Sequence, residues 1–139
     1  MLIGQYEHSI DAKGRVIMPV KLKKYLGDEF IITRGLDDCL FVFAEQEWSS
    51  FEEKIRSLPL SKARDVQRYF FSGAALVSVD KQGRILIPQA LRSAAYLDKE
   101  AVIIGAYNRV EIWDKAKWER AQQNLVSDSI AQVMDEIGF

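Results

Sequence analysis

Near the start of the chain, Tyr6, His8 and Ile10 alternate with polar neighbours, the period of a half-buried strand. Asp11 to Gly14 then interrupts the pattern with a polar stretch. Asp favours turns that its own side chain closes, and Gly accepts left-handed backbone, so a tight loop is expected there. Arg15 to Met18 is largely apolar and β-branched, so the loop joins two strands. Pro19 ends the second strand and suits the first turn of a short helix, which Gly27 caps. Two more strands are expected around 29–34 and 39–44, with Gly35-Leu36-Asp37-Asp38 as the turn between them.

The same pattern returns later in the chain. Asp11-Ala12-Lys13-Gly14-Arg15-Val16-Ile17-Met18-Pro19-Val20-Lys21-Leu22 aligns without gaps on Asp80-Lys81-Gln82-Gly83-Arg84-Ile85-Leu86-Ile87-Pro88-Gln89-Ala90-Leu91. Ala75, Val77 and Val79 stand for the first strand, although Leu76 blurs the alternation. Glu29-Phe30-Ile31-Ile32 parallels Glu100-Ala101-Val102-Ile103, and Leu40-Phe41-Val42-Phe43 parallels Val110-Glu111-Ile112-Trp113. Trp48 falls where Trp118 does. One Asp-x-x-Gly-Arg is weak evidence of anything. Two, each followed by the same order of apolar run, proline, apolar strand and tryptophan, imply a duplicated unit.

Between the copies, about 45–73, Trp48, Phe51, Ile55 and Leu58 lie at helical spacing. Pro59 breaks this helix, Ser61 is a candidate cap for a second one, and Gly73 ends that. The tail from Asp114 onward also reads as mostly helical, with Trp118, Leu125, Ile130 and Val133 as apolar anchors and Ser127 opening a final short helix. The expected organisation is a repeat over 5–47, a helical connector over 48–74, a second repeat over 75–118 and a helical tail over 119–139. A single repeat is too small to bury a core, but two in one chain could complete a shared β-barrel with pseudo-twofold symmetry, an α+β fold with flanking helices.

Composition narrows the setting. With 139 residues, 48% of them hydrophobic and 28% charged, the chain is expected to be globular rather than disordered. The opening MLIGQYEHSID lacks the basic and apolar regions of an export signal, no apolar run is long enough for a bilayer, and Cys39 stands alone. A cytoplasmic protein in a reducing compartment is therefore expected.

Net charge is −1, which by itself argues against nucleic-acid binding. The local distribution answers this. From Asp11 to Lys24 the bases Lys13, Arg15, Lys21, Lys23 and Lys24 face one acid, and from Asp80 to Arg92 Lys81, Arg84 and Arg92 face one acid. Glu111 to Phe139 holds six acids against three bases. Positive charge thus gathers around the repeated loops. A two-stranded ribbon fits the major groove, where arginine can donate two hydrogen bonds to guanine. Lysines on the loop and the following helix suit phosphates, which position without reading sequence. Asp11 and Asp80 would shape each loop and hold the arginine four residues on. The competing reading is a structural salt bridge across each hairpin, worth little when exposed. Duplication and basic surroundings favour the DNA reading most for Arg15, whose flanks are the more basic.

The segments GQYEHSIDAKGRVIMP, FIITRGLDDCLFVF, RYFFSGA, DKQGRILIP, VIIGAYNRVEIWDKAKWE and the terminal MDEIGF together resemble the MraZ family, bacterial regulators with two SpoVT-AbrB-type modules. The resemblance covers nearly the whole chain. It implies an AbrB-like swapped-hairpin barrel, and sequence-specific DNA binding through Asp11 and Arg15 and through Asp80 and Arg84. The implied operator is a set of direct repeats in a promoter upstream of the division and cell-wall gene cluster. It also implies a ring-shaped homo-oligomer working in the cytoplasm in association with the nucleoid. A head-to-tail ring would present its loops in one orientation and so suit direct repeats, whereas a twofold dimer suits palindromes.

Other residues carry less. His8 has no His or Cys neighbour to form a metal set, Cys39 precedes an apolar strand and reads as a buried small residue, and Tyr69-Phe70-Phe71 reads as core or oligomer interface. Lys23 and Lys24 fit either a solvated helix face or phosphate contacts. No catalytic residues, cofactor, metal or small-molecule substrate are expected, and the enzyme reading rests on fold analogy alone. A second reading, from a different class, is a protein-interaction module whose acidic C-terminal helix grips a partner.

Overall fold

The computed structural model describes residues 1–139, and its elements fall into two successive runs of the same kind. The first comprises β1 (Gln5–Ser9), β2 (Arg15–Ile17), α1 (Val20–Leu26), β3 (Glu29–Arg34), β4 (Leu40–Ala44), α2 (Glu45–Arg56) and α3 (Leu60–Phe71). The second comprises β5 (Ala75–Ser78), β6 (Arg84–Leu86), α4 (Gln89–Ala94), β7 (Glu100–Gly105), β8 (Val110–Asp114), α5 (Lys115–Gln123) and α6 (Ser127–Glu136). No helix is long and apolar enough to cross a membrane.

The pairing of strands shows how the two runs share one core. The main sheet has the order β1-β7-β8-β4-β3-β5, and β2 pairs with β6 in a separate two-stranded ribbon. Exchanging β1 to β4 with β5 to β8 turns this order into itself, which is the pseudo-twofold axis. Each edge strand belongs to the other repeat: β1 pairs with β7, and β5 with β3. Ser9 faces Glu100 as Ser78 faces Glu29, and Val16 faces Ile85 across the axis. Each β-hairpin has therefore been exchanged onto the opposite repeat, which is the swapped-hairpin arrangement.

The core follows from strands covered on both faces. In β4, Leu40 and Val42 point inward to a cluster with Val16, Ile85, Phe30, Ile103 and Ile112, while Phe41 and Phe43 point outward beneath the helices. That is why β4 reads as a continuous apolar run rather than an alternation. Leu22 and Leu91, on α1 and α4, close the inner cluster. The outer cluster joins Phe43, Ile55 and Phe70 with Trp48, Phe51, Trp113 and Trp118. Cys39 is buried within it, and burial pushes its thiol pKa well up.

Two local expectations are corrected. Ser61 does not cap α3; Pro59 holds that place with an extended ψ of 143°, and Ser61 lies inside the helix. Proline needs no hydrogen bond for its missing N–H, so the stop of α2 and the start of α3 are one residue's work. The tail anchors are also different: Trp118 packs into the outer cluster, but Leu125, Ile130 and Val133 are exposed and α6 buries none of its residues. Helical periodicity reveals an apolar face without saying what covers it.

Candidate nucleic-acid interface

Five residues build each loop. The Asp11 carbonyl accepts the Gly14 N–H at 3.0 Å, and the Asp11 N–H donates to the Arg15 carbonyl at 2.9 Å, closing a tight turn. Gly14 sits at φ 86° and Gly83 at φ 79°, a left-handed conformation in which a Cβ is strained. The aspartate finishes the structure. Asp11 Oδ1 accepts the backbone N–H of Lys13 at 3.0 Å and of Arg15 at 2.9 Å, and its Oδ2 accepts Arg15 Nε at 2.7 Å. Asp80 repeats this with Gln82, Arg84 and Arg84 Nε at 2.9, 2.9 and 3.0 Å.

These bonds explain the acidity of both carboxyls. The Arg15 backbone N–H contributes most to holding Asp11 below the ordinary carboxylate range, against partial desolvation that pushes the other way. The Arg84 backbone N–H does the same for Asp80. Each aspartate engages its arginine through Nε, which leaves the outer face of the guanidinium for a ligand. Neither guanidinium is buried: the Arg15 and Arg84 side chains are 30% and 26% exposed.

The two loops meet on one ribbon. Arg15 is paired with Leu86 and Ile17 with Arg84, while Val16 and Ile85 point into the core. Because side chains alternate along a strand, Arg15, Ile17, Arg84 and Leu86 share the outward face. Arg84 Nη1 lies 3.8 Å from Asp11 Oδ2, so Asp11 faces both arginines. Each glycine carbonyl is bonded by the other repeat, with the Met18 N–H donating to Gly83 and the Ile87 N–H to Gly14, both at 3.0 Å.

That exchange changes which helix flanks which loop. Met18 leads directly into α1, so α1 with Lys21, Lys23 and Lys24 begins beside the second loop, and α4 begins beside the first. The basic flank read along the chain as belonging to Arg15 starts next to Arg84's loop instead. Lys13, Lys81, Lys21 and Lys24 are exposed. Lys23 is half-buried and paired with Asp28 at 3.0 Å.

Comparison with known proteins fits this duplicated geometry. A family model described as "MraZ protein, putative antitoxin-like" matches twice, over residues 1–68 and 70–137. The chain belongs to the MraZ family. Its relatives named "Transcriptional regulator MraZ" include one from Acetivibrio thermocellus, 54% identical, and one from Caldicellulosiruptor bescii, 51% identical, each aligned over the whole of both chains. Another, from Natranaerobius thermophilus, is 52% identical over 99% of this chain and 96% of its own. The solution structure of PHS018 from Pyrococcus horikoshii overlays with a TM-score of 0.32 at 16% identity, covering 81% of this chain and 88% of that one, too distant to carry an argument.

Within this MraZ-family fold, two residues beside the loops escaped sequence reasoning, and a third, Arg92, falls with the second loop along the chain but lies over the first. Ile17 and Leu86 are exposed between the arginines, a placement that the period of two along each short strand signals once the arginines are known to face outward. The Arg92 guanidinium covers Gly14 closely, and its buried Nε has no hydrogen-bond partner. Its repeat equivalent, Lys23, turns to Asp28, and the space over Gly83 is open. No group of three or more His, Cys, Asp or Glu is placed to hold a metal.

Proposed function

We propose that this protein is a sequence-specific DNA-binding transcriptional regulator that reads DNA with the outward face of the β2–β6 ribbon. The observation that carries the reading is the pair Arg15 and Arg84, fastened at Nε by Asp11 and Asp80 on one exposed ribbon. A guanidinium held this way loses little freedom on meeting a base edge. Arg15 and Arg84 contact bases, with Ile17 and Leu86 offering apolar contacts of the kind a thymine methyl accepts. Lys13, Lys81, Lys21, Lys24 and, once released from Asp28, Lys23 contact phosphates.

The wider proposal follows the family and the names of the relatives. The units over 5–47 and 75–118 form the reading head, joined by 48–74 and followed by the tail 119–139. The operator is a set of direct repeats in the promoter of the division and cell-wall gene cluster, engaged by a ring-shaped homo-oligomer associated with the nucleoid. Several weak heads on one ring bind strongly together when repeat spacing matches head spacing.

Selection of bound fragments from random DNA, followed by titration of Arg15→Ala on the selected site, tests this. The expected loss is about 1–3 kcal/mol per bidentate contact, with folding and assembly intact. Unchanged affinity in a variant of verified assembly would refute base reading by the loop.

A further inference from the structure

The two repeats differ in how they finish their outer faces. In the first, α3 folds back onto α2 and β3: Ala63 and Phe70 are 3% and 8% exposed, and Val66 packs against the same cluster. The Thr33 hydroxyl donates to the Phe70 carbonyl and fixes the helix there. In the second repeat the seat is built and left open. Trp113, Trp118, Ala121 and Leu125 stand where Phe43, Trp48, Phe51 and Ile55 stand in the first, and Ile104 replaces Thr33. They line a groove of about 670 Å³. Leu125 is 61% exposed where Ile55 is 4%, and the buried Trp118 Nε1 has no partner.

The helix that matches this seat is present but turned away. Ile130, Val133 and Ile137 repeat the spacing of Ala63, Val66 and Phe70, yet they are 50%, 56% and 73% exposed. The hinges have equal length, residues 57–59 before α3 and 124–126 before α6. The second family match, 70–137, also runs through α6 as the first runs into α3. A helix of ten residues that buries none of them is marginal in water, so α6 gains its stability from a surface that accepts its apolar stripe. Residues 125–139 carry Asp128, Asp135 and Glu136 and no base; of the groove's bases, Arg109 and Lys117 are paired with Glu111 and Asp38, which leaves Arg120 to meet an acid of α6.

We propose that α6 of one copy docks into the Trp113–Trp118 groove of a second copy of this chain, in the seat that α3 takes within the first repeat. The inference rests on the homo-oligomeric reading above and names its contact. An element projecting from a short hinge, beside an empty copy of its own seat, is the arrangement of a swapped segment. Repeated head to tail, the contact is heterologous, the kind of interface from which rings are built.

Disulfide trapping tests this in a Cys39→Ala background. Chains carrying Ala121→Cys and chains carrying Val133→Cys, with different tags, are co-expressed and oxidised. A mixed disulfide containing one chain of each kind is expected. A chain carrying both substitutions that closes only on itself, running as an oxidised monomer, would overturn the proposal. Light scattering gives an independent check: Ile130→Asp with Val133→Asp is expected to reduce the assembly to single chains, with the β-sheet signal in circular dichroism retained. An unchanged mass for that variant overturns the α6 contact alone. A wild-type chain that is monomeric at micromolar concentration overturns the homo-oligomer and this contact together.

Discussion

The two loops have the same internal geometry and different surroundings. In both, aspartate accepts two backbone N–H groups and its arginine's Nε, and a left-handed glycine closes the turn. Over Gly14, however, lies the guanidinium of Arg92, while Gly83 has nothing within 4 Å of where a Cβ would stand. Local geometry comes from five consecutive residues and so copies faithfully. Surroundings come from the opposite repeat, because the hairpins are exchanged, and diverge with it. Loop one is therefore packed under a cation from α4, and loop two is open beside the lysines of α1.

The comparison is most sharply broken at the arginines. Replacing Arg15 and Arg84 together by Ala is expected to abolish specific binding, at about 1–3 kcal/mol per lost base contact, read by anisotropy titration on a selected site. If the loops contribute unequally, the two single variants will separate in that assay.

The glycines come next. Gly83→Ala is expected to cost about 1–2 kcal/mol in urea denaturation, the strain of a left-handed Cβ. Gly14→Ala should cost slightly more, because its Cβ must also displace the flexible end of the Arg92 side chain. In an Arg92→Ala background the excess should vanish and the two glycines should become equivalent, a double-mutant cycle that isolates the cover over loop one.

Acid should affect both loops in the same direction. A carboxyl whose folded pKa is depressed stabilises the fold above its ordinary value of 3.8, and that stabilisation is lost as pH falls through the lower folded value. Carboxyl chemical shifts should thus show titration midpoints for Asp11 and Asp80 below 3.8. Titration at or above that value in either loop would show that its hydrogen bonds are weaker than the distances imply. The smallest effect is expected on the lysines: Lys24→Ala should weaken binding to all sequences alike and reduce the salt slope by about one.

Much of the fold was legible along the chain because the relevant signals are local. Alternation located β1, the long apolar runs located β4 and β8, and the glycines and prolines marked the turns. The alignment of Glu29 with Glu100 agrees with the register, in which Ser78 faces Glu29 as Ser9 faces Glu100. The Asp-x-x-x-Arg bonds were also legible, being made within five residues. The seat of α6 was not. Leu125, Ile130 and Val133 have the spacing of buried anchors, but an apolar stripe is the same whether its cover lies in the same chain or in another.

The amino-acid order alone specifies one structural unit written twice, with an arginine tethered to an aspartate at the tip of each hairpin. Those features depend on neighbours a few residues apart, and short-range turn chemistry is enough to specify them. The exchange of hairpins was implied by the family resemblance and by no local pattern; the fold itself was needed to show that Arg15 and Arg84 share one ribbon, that α1 begins beside the second loop and that Arg92 covers the first. A strand's pairing partner is chosen by the apolar face it completes across the core, and that choice joins residues some seventy positions apart that no local pattern connects.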